Sequence, residues 1–176
     1  MGSRGGVVLI VLLVAAGAAL ILVSQPERRA YVEAGVDAPE FSLPRVSDEG
    51  TRSLESYRGR VVLLNFWATW CKPCEEEMPS MERLYRSLSD VPFEIVAVSV
   101  DESVEPVRAF RESYGLSFSI LLDAEQDVAR AYQTFRFPES FLIDGEGRVV
   151  QRYVGPREWD APEHHRRIRE LASVLR

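Results

Sequence analysis

The chain's only two cysteines, Cys71 and Cys74, fall on the seam between two unlike sequence patterns. Ahead of them runs Val61-Val62-Leu63-Leu64, four consecutive aliphatics, two of them β-branched. That reads as a buried strand. Behind them, Glu75-Glu76-Glu77 precede Met78, Met81, Leu84, Tyr85 and Leu88. Steps of three and four make one apolar face of a helix, with acids in its first turn. Both sulfurs therefore sit where a strand hands over to a helix.

That position has chemical consequences. A helix N-terminus carries unpaired N–H groups and partial positive charge. It stabilises a thiolate, which is the reactive form of cysteine. Cys71 is expected to be the exposed, attacking sulfur. Cys74 lies about one helical turn deeper, placed to resolve a mixed disulfide. Pro73 suits a first helical turn, where its missing N–H costs nothing. Lys72 adds positive charge beside the nucleophile, and Glu75, Glu76 and Glu77 oppose it.

Three other uses of the pair compete. A structural disulfide closing so short a loop would remove little unfolded-state entropy. A zinc site needs four ligands, and only His164 and His165 remain, adjacent and far along the chain. Inert thiols have no reason to sit at a helix start. Strand, Cys-x-x-Cys, helix is instead the context of a redox motif.

Phe66-Trp67-Ala68-Thr69-Trp70-Cys71-Lys72-Pro73-Cys74 resembles the active-site segment of the thioredoxin superfamily. It is most similar to the membrane-anchored TlpA/ResA-type thiol–disulfide oxidoreductases, which include the cytochrome c maturation thioredoxins. The resemblance runs from about Val36 to the C-terminus. It implies an α/β thioredoxin-like fold, a central mixed sheet flanked by helices, with an N-terminal β-hairpin extension.

Composition is that of a soluble globular body, 46% apolar and 27% charged. The net charge of −6 argues against nucleic acid as a partner. Gly5 to Ser24 is a stretch of twenty residues without a charge, long enough to span a bilayer. Arg4 before it favours an inside N-terminus, although Arg28 and Arg29 follow it. An uncleaved anchor over 1–24 is favoured over a cleaved signal peptide, because Leu22-Val23-Ser24 is a poor cleavage site. Residues 25–35 read as a polar linker and 36–176 as the thioredoxin-like domain. Either reading puts the body outside the cytosol, on the periplasmic or outer side of the cell membrane, where disulfides are traded.

Along the body, Asp37–Leu43 reads as a short edge strand and Asp48-Glu49-Gly50 as a turn. Ser53-Leu54 can pair back as a hairpin. Phe93–Val100 reads as a central strand, Val104–Tyr114 as a helix stopped by Gly115, and Ser119–Leu122 as a short strand. Asp123–Tyr132 reads as a helix. Phe141–Ile143, the turn Asp144-Gly145-Glu146-Gly147 and Arg148–Val154 form a hairpin. Asp160-Ala161-Pro162-Glu163 looks like a capping box opening a last helix, with His164 and His165 on its solvated face.

Pro138 alone would be an ordinary strand-start proline, since cis is the minority isomer. The resemblance implies a cis-proline packed on the Cys-x-x-Cys, with Phe137 and Glu139 lining a groove that holds substrate as an added strand. Trp70, Lys72 and Pro73 are expected to bind substrate as well. The resemblance also assigns Glu77, three residues after Cys74, to proton handling. A plain helix-dipole acid is the competing reading of Glu77. Asn65 stands where thioredoxin itself has a buried aspartate, and Glu102 is a weaker candidate acid.

The resemblance implies a disulfide reductase acting on protein substrates such as apocytochrome c, re-reduced by a membrane electron donor. Its cofactor is the redox-active Cys71–Cys74 pair itself, with no metal, and a monomer is expected. No histidine lies between the cysteines, which leans away from a strong oxidant. Three alternatives remain: a disulfide donor, a non-enzymatic binding domain that uses the groove beside Pro138, and a thiol peroxidase of the peroxiredoxin (AhpC/TSA) type. Peroxiredoxins place Thr-x-x-Cys before the helix, whereas Thr69 lies only two residues before Cys71.

Overall fold

The aliphatic run is the middle of the sheet. In the computed structural model, which describes residues 32–175, β3 (Val61–Trp67) has all seven residues buried. β4 (Phe93–Ser99) is buried along its whole length too. Continuous apolar strands need cover on both faces and a partner on both edges. β4 runs parallel to β3, in register from Val61↔Phe93 to Trp67↔Ser99. β5 (Ser119–Leu122) continues the parallel side. On the other side β6 (Glu139–Ile143) is antiparallel to β3, and β7 (Val149–Val154) is antiparallel to β6. The five-stranded order is β5-β4-β3-β6-β7, a mixed sheet.

Helices close the sheet as their stripes require. α1 (Lys72–Ser87) turns Cys74, Met78, Met81 and Leu84 inward. α2 (Val104–Tyr114) ends at Gly115, whose φ of 60° is the left-handed cap that glycine adopts freely. α4 (Pro162–Ser173) buries Ile168 and Ala172. The fold is thus thioredoxin-like α/β, as expected.

The segment ahead of the sheet is a hairpin: β1 (Ser42–Pro44) pairs antiparallel with β2 (Thr51–Ser53). A 3₁₀ turn, Leu54–Tyr57, follows it. The strand begins at Ser42, later than the expected Asp37; Asp37 makes only an isolated bridge to Arg148. The hairpin covers the β5 edge, where the Val46 N–H donates to the Ile120 carbonyl. It also adds Phe41, Leu43, Val46, Leu54 and Tyr57 to the core.

Four expectations need correction or placing. The helix expected over Asp123–Tyr132 is the short α3 (Asp127–Ala131), because the Asp123 carboxylate accepts from the N–H groups of Val128 and Ala129 and starts the helix late. Asp160 does not close a capping box: the N-cap is Ala161, and Asp160 pairs with Arg83 instead. His164 is not on a solvated face; it is half-buried against Trp159 and Tyr153, and burial lowers its pKa. The expected anchor, 1–24, lies outside the described residues, as does most of the linker. Of that linker, Val32 is buried and Gly35 donates its N–H to the Val149 carbonyl, so its last residues pack on the domain. Among the described residues, no helix is long and apolar enough to cross a membrane.

Candidate active site

β3 ends at Trp67, and four residues later α1 begins with Cys71 as its N-cap. Cys71 and Cys74 are joined as a disulfide, their Cα atoms 5.3 Å apart. Cys71 Sγ accepts from the Cys74 N–H at 3.3 Å, so the sulfur occupies the place of an N-capping oxygen. A thiolate formed there meets the same N–H and the positive end of a sixteen-residue helix. Cys71 keeps 6% exposure and Cys74 none. One sulfur can be approached from outside and the other only from beneath.

The loop between strand and helix is pinned by a residue the motif does not show. Asp101, 5% exposed just beyond β4, accepts from the Thr69 N–H at 3.0 Å and the Thr69 hydroxyl at 2.6 Å. Ser99 Oγ adds a third bond at 2.7 Å. Parallel pairing of β3 and β4 brings both strand ends to this edge. Glu102, the weaker candidate acid, is exposed and joins none of this.

Beneath the disulfide lies Glu77, on the same face of α1 as Cys74 and 3% exposed. Asn65 Nδ2 donates to its Oε1 at 2.9 Å. The Trp159 indole N–H and the Arg157 backbone N–H donate to its Oε2 at 3.0 and 3.1 Å. Asn65 also donates to Ser140 Oγ on β6. Burial pushes the Glu77 pKa up to about 7, against these three donors and the more distant Arg157 charge, all of which favour the anion. A carboxyl so placed exchanges protons near neutrality, which a first-turn acid in water does not do.

The facing wall is the start of β6. The Phe137–Pro138 peptide is cis, the isomer the resemblance implies. Pro138 is buried, and its carbonyl accepts from the Gly155 N–H. Phe137 meets Trp70 edge to face, ring centroids 6.1 Å apart, which joins the two loops. Trp70 is 66% and Phe135 74% exposed. Glu139, expected as a groove acid, is turned inward: it is buried, and Arg152 Nε donates to its Oε1 at 2.6 Å. It forms floor under the groove, with no free carboxylate at the surface.

Lys72 and Pro73 are both exposed. Lys72 pairs with Glu75 at 3.0 Å, and Glu75 accepts from the Tyr114 hydroxyl as well. The bond from Tyr114 and then that from Lys72 hold the Glu75 pKa below the ordinary value. The Lys72 charge is therefore largely shared with a neighbour. Trp159, Arg157, Asp101 and Ser140 were not singled out in the sequence. The one signal was a large aromatic, Trp159, set in the polar run Pro156-Arg157-Glu158-Trp159-Asp160.

Comparison with known proteins agrees with this geometry. The AhpC/TSA family matches residues 34–152. A thiol-disulfide oxidoreductase ResA of Geobacillus kaustophilus is 41% identical over 158 residues, covering 90% of each chain. The ResA of Bacillus subtilis is 40% identical over 124 residues, covering 70% of this chain and 69% of that one. A solved thiol:disulfide interchange protein of the thioredoxin family from Chlorobium tepidum superposes with a TM-score of 0.67 at 28% identity, over 76% of this chain and 95% of its own. With the family match over most of its length and these relatives, the chain belongs to the AhpC/TSA family and, within it, to the ResA-type thiol-disulfide oxidoreductases.

Proposed function

We propose that this chain is a reductase of protein disulfides, carried on the outer face of the membrane by residues 1–24 and kept reduced by a membrane electron donor. The uncharged stretch Gly5–Ser24 supports the anchor. The exposed ring of Trp70, next to Cys71 and in edge-to-face contact with the half-buried Phe137, supports a polypeptide substrate, with apocytochrome c the favoured one.

The observation that carries the exchange chemistry is the Glu77 carboxyl under Cys74, and the absence of a histidine between the cysteines favours the reducing direction. In the reduced protein, the Cys71 thiolate attacks one sulfur of the substrate disulfide. A mixed disulfide forms, and the departing substrate sulfur takes a proton. Glu77 accepts the Cys74 proton, and the new thiolate attacks Cys71 Sγ. The Cys71–Cys74 disulfide forms, and the second substrate sulfur leaves as a thiolate and takes up a proton. Two electrons pass to the substrate, and a dithiol donor must restore them. The buried Cys74 thiol needs an internal base for this step, and Glu77 is held one helical turn from it.

The peroxidase alternative asks for a threonine three residues before the attacking cysteine. Position 68 is alanine, and the Thr69 hydroxyl is committed to Asp101. The test is the reduction potential of the Cys71/Cys74 pair in the full chain. A value at or below about −270 mV supports the reductase, and one near about −120 mV makes the protein a disulfide donor instead. With Cys74→Ser, apocytochrome c should accumulate as a mixed disulfide on Cys71; a variant that traps none removes it as substrate.

A further inference from the structure

The segment from Gly155 to Asp160 crosses α1 along one stripe of its surface. The Trp159 indole and the Arg157 N–H bond Glu77, the Trp159 N–H bonds Ser80 Oγ at 3.0 Å, and Glu158 and Asp160 bond Arg83. Glu77, Ser80 and Arg83 are spaced by three, so this strap lies on a single helix face. Its first residue, Gly155, is tied to the cis-proline carbonyl. The strap thus connects the substrate wall to the acid beneath the disulfide. Trp159 is its anchor, 1% exposed and packed on Tyr153 and His164 at 5.1 and 4.8 Å.

We propose that Trp159 is a positioning residue for the disulfide exchange: its indole N–H fixes Glu77 Oε2 and sets the pH at which Glu77 takes the Cys74 proton. This rests on the role given to Glu77 above. The geometry divides the carboxylate between two supports. Oε1 is held from the sheet by Asn65, and Oε2 from the strap by Trp159 and Arg157. An N–H donor stabilises the anion over the acid. Loss of the indole donor therefore raises the pKa of Glu77, and fewer molecules hold a base ready at neutral pH. The other titratable or charged groups on this site are the Cys74 thiol from α1, Arg157 from the strap, and His164 from α4 behind the indole.

The experiment is the pH dependence of disulfide reduction by the full chain from pH 5 to 9, for wild type, Trp159→Phe, Glu77→Gln and the double variant. The acidic limb of the wild type should move up by about one pH unit in Trp159→Phe. It should be absent in Glu77→Gln, and adding Trp159→Phe to that variant should move nothing further. A limb that survives Glu77→Gln belongs to Cys74 or His164 and overturns the role of Glu77 together with the proposal. A limb that needs Glu77 yet stays in place in Trp159→Phe overturns the proposal alone, since a merely structural tryptophan lowers activity without moving the limb. A second measurement avoids any folding defect of the variant. The indole N–H resonance of Trp159 in the unaltered core should titrate with the Glu77 limb and lose that titration in Glu77→Gln; a resonance flat across the limb contradicts the proposal.

Discussion

At the scale of the residue, Glu77 is where burial and hydrogen bonding compete most openly. Three neutral donors support its anion, yet burial outweighs them and lifts its pKa from the ordinary 4.5 to about 7. The linkage has a definite sign. The folded protein holds this proton more tightly than the unfolded chain does, so the stabilising contribution is complete below pH 4.5. It is lost as pH rises towards and through 7. A shift of this size corresponds to about 3 kcal/mol. Urea unfolding of the oxidised wild type should therefore show stability falling between pH 5 and pH 8. Glu77→Gln should remove most of that fall. An identical slope in the two proteins would mean that Glu77 titrates as an ordinary surface acid.

At the scale of the element, the loop Ala68–Cys71 owes its shape to Asp101 on the neighbouring strand end. Thr69 and Ser99 give this buried carboxylate three bonds. Asp101→Ala leaves those donors bare and should cost about 3 kcal/mol. The Thr69 amide should then exchange with deuterium far faster, while amides in the middle of β4 slow or hasten only with global stability. Uniform exchange changes would place the effect in the whole fold. Such a residue was hard to read from the sequence. Glu77 stands three residues from Cys74, within a pattern that helical spacing makes legible. Asp101 meets Thr69 only because β3 and β4 run parallel in one register. Trp159 likewise meets Glu77 across 82 residues. The strands and the major helices were legible because their apolar periods match their burial. α3 was misread because Asp123 spends its carboxylate on the backbone, which periodicity does not register.

At the scale of the molecule, the hairpin ahead of β3 is core rather than ornament. Phe41 meets the Tyr132 ring at 6.4 Å, and Tyr132 in turn meets Phe66 at 5.2 Å and Phe141 at 5.1 Å. The Tyr132 hydroxyl donates to the Pro39 carbonyl at 2.8 Å. An aromatic chain therefore runs from the N-terminal segment, through the α3 end, to the two strands that carry Asn65 and Ser140 beneath the site. If that continuity holds, the hairpin and the sheet unfold as one unit. Phe41→Ala opens a cavity at one end of the chain and should cost about 3–5 kcal/mol. The loss should appear as one transition, with the same lowered midpoint by far-ultraviolet dichroism and by fluorescence of the buried Trp67 and Trp159. A first transition confined to the hairpin, followed by melting of the sheet at the wild-type midpoint, would show instead that residues 37–57 are a separable cover over a self-sufficient thioredoxin-like core.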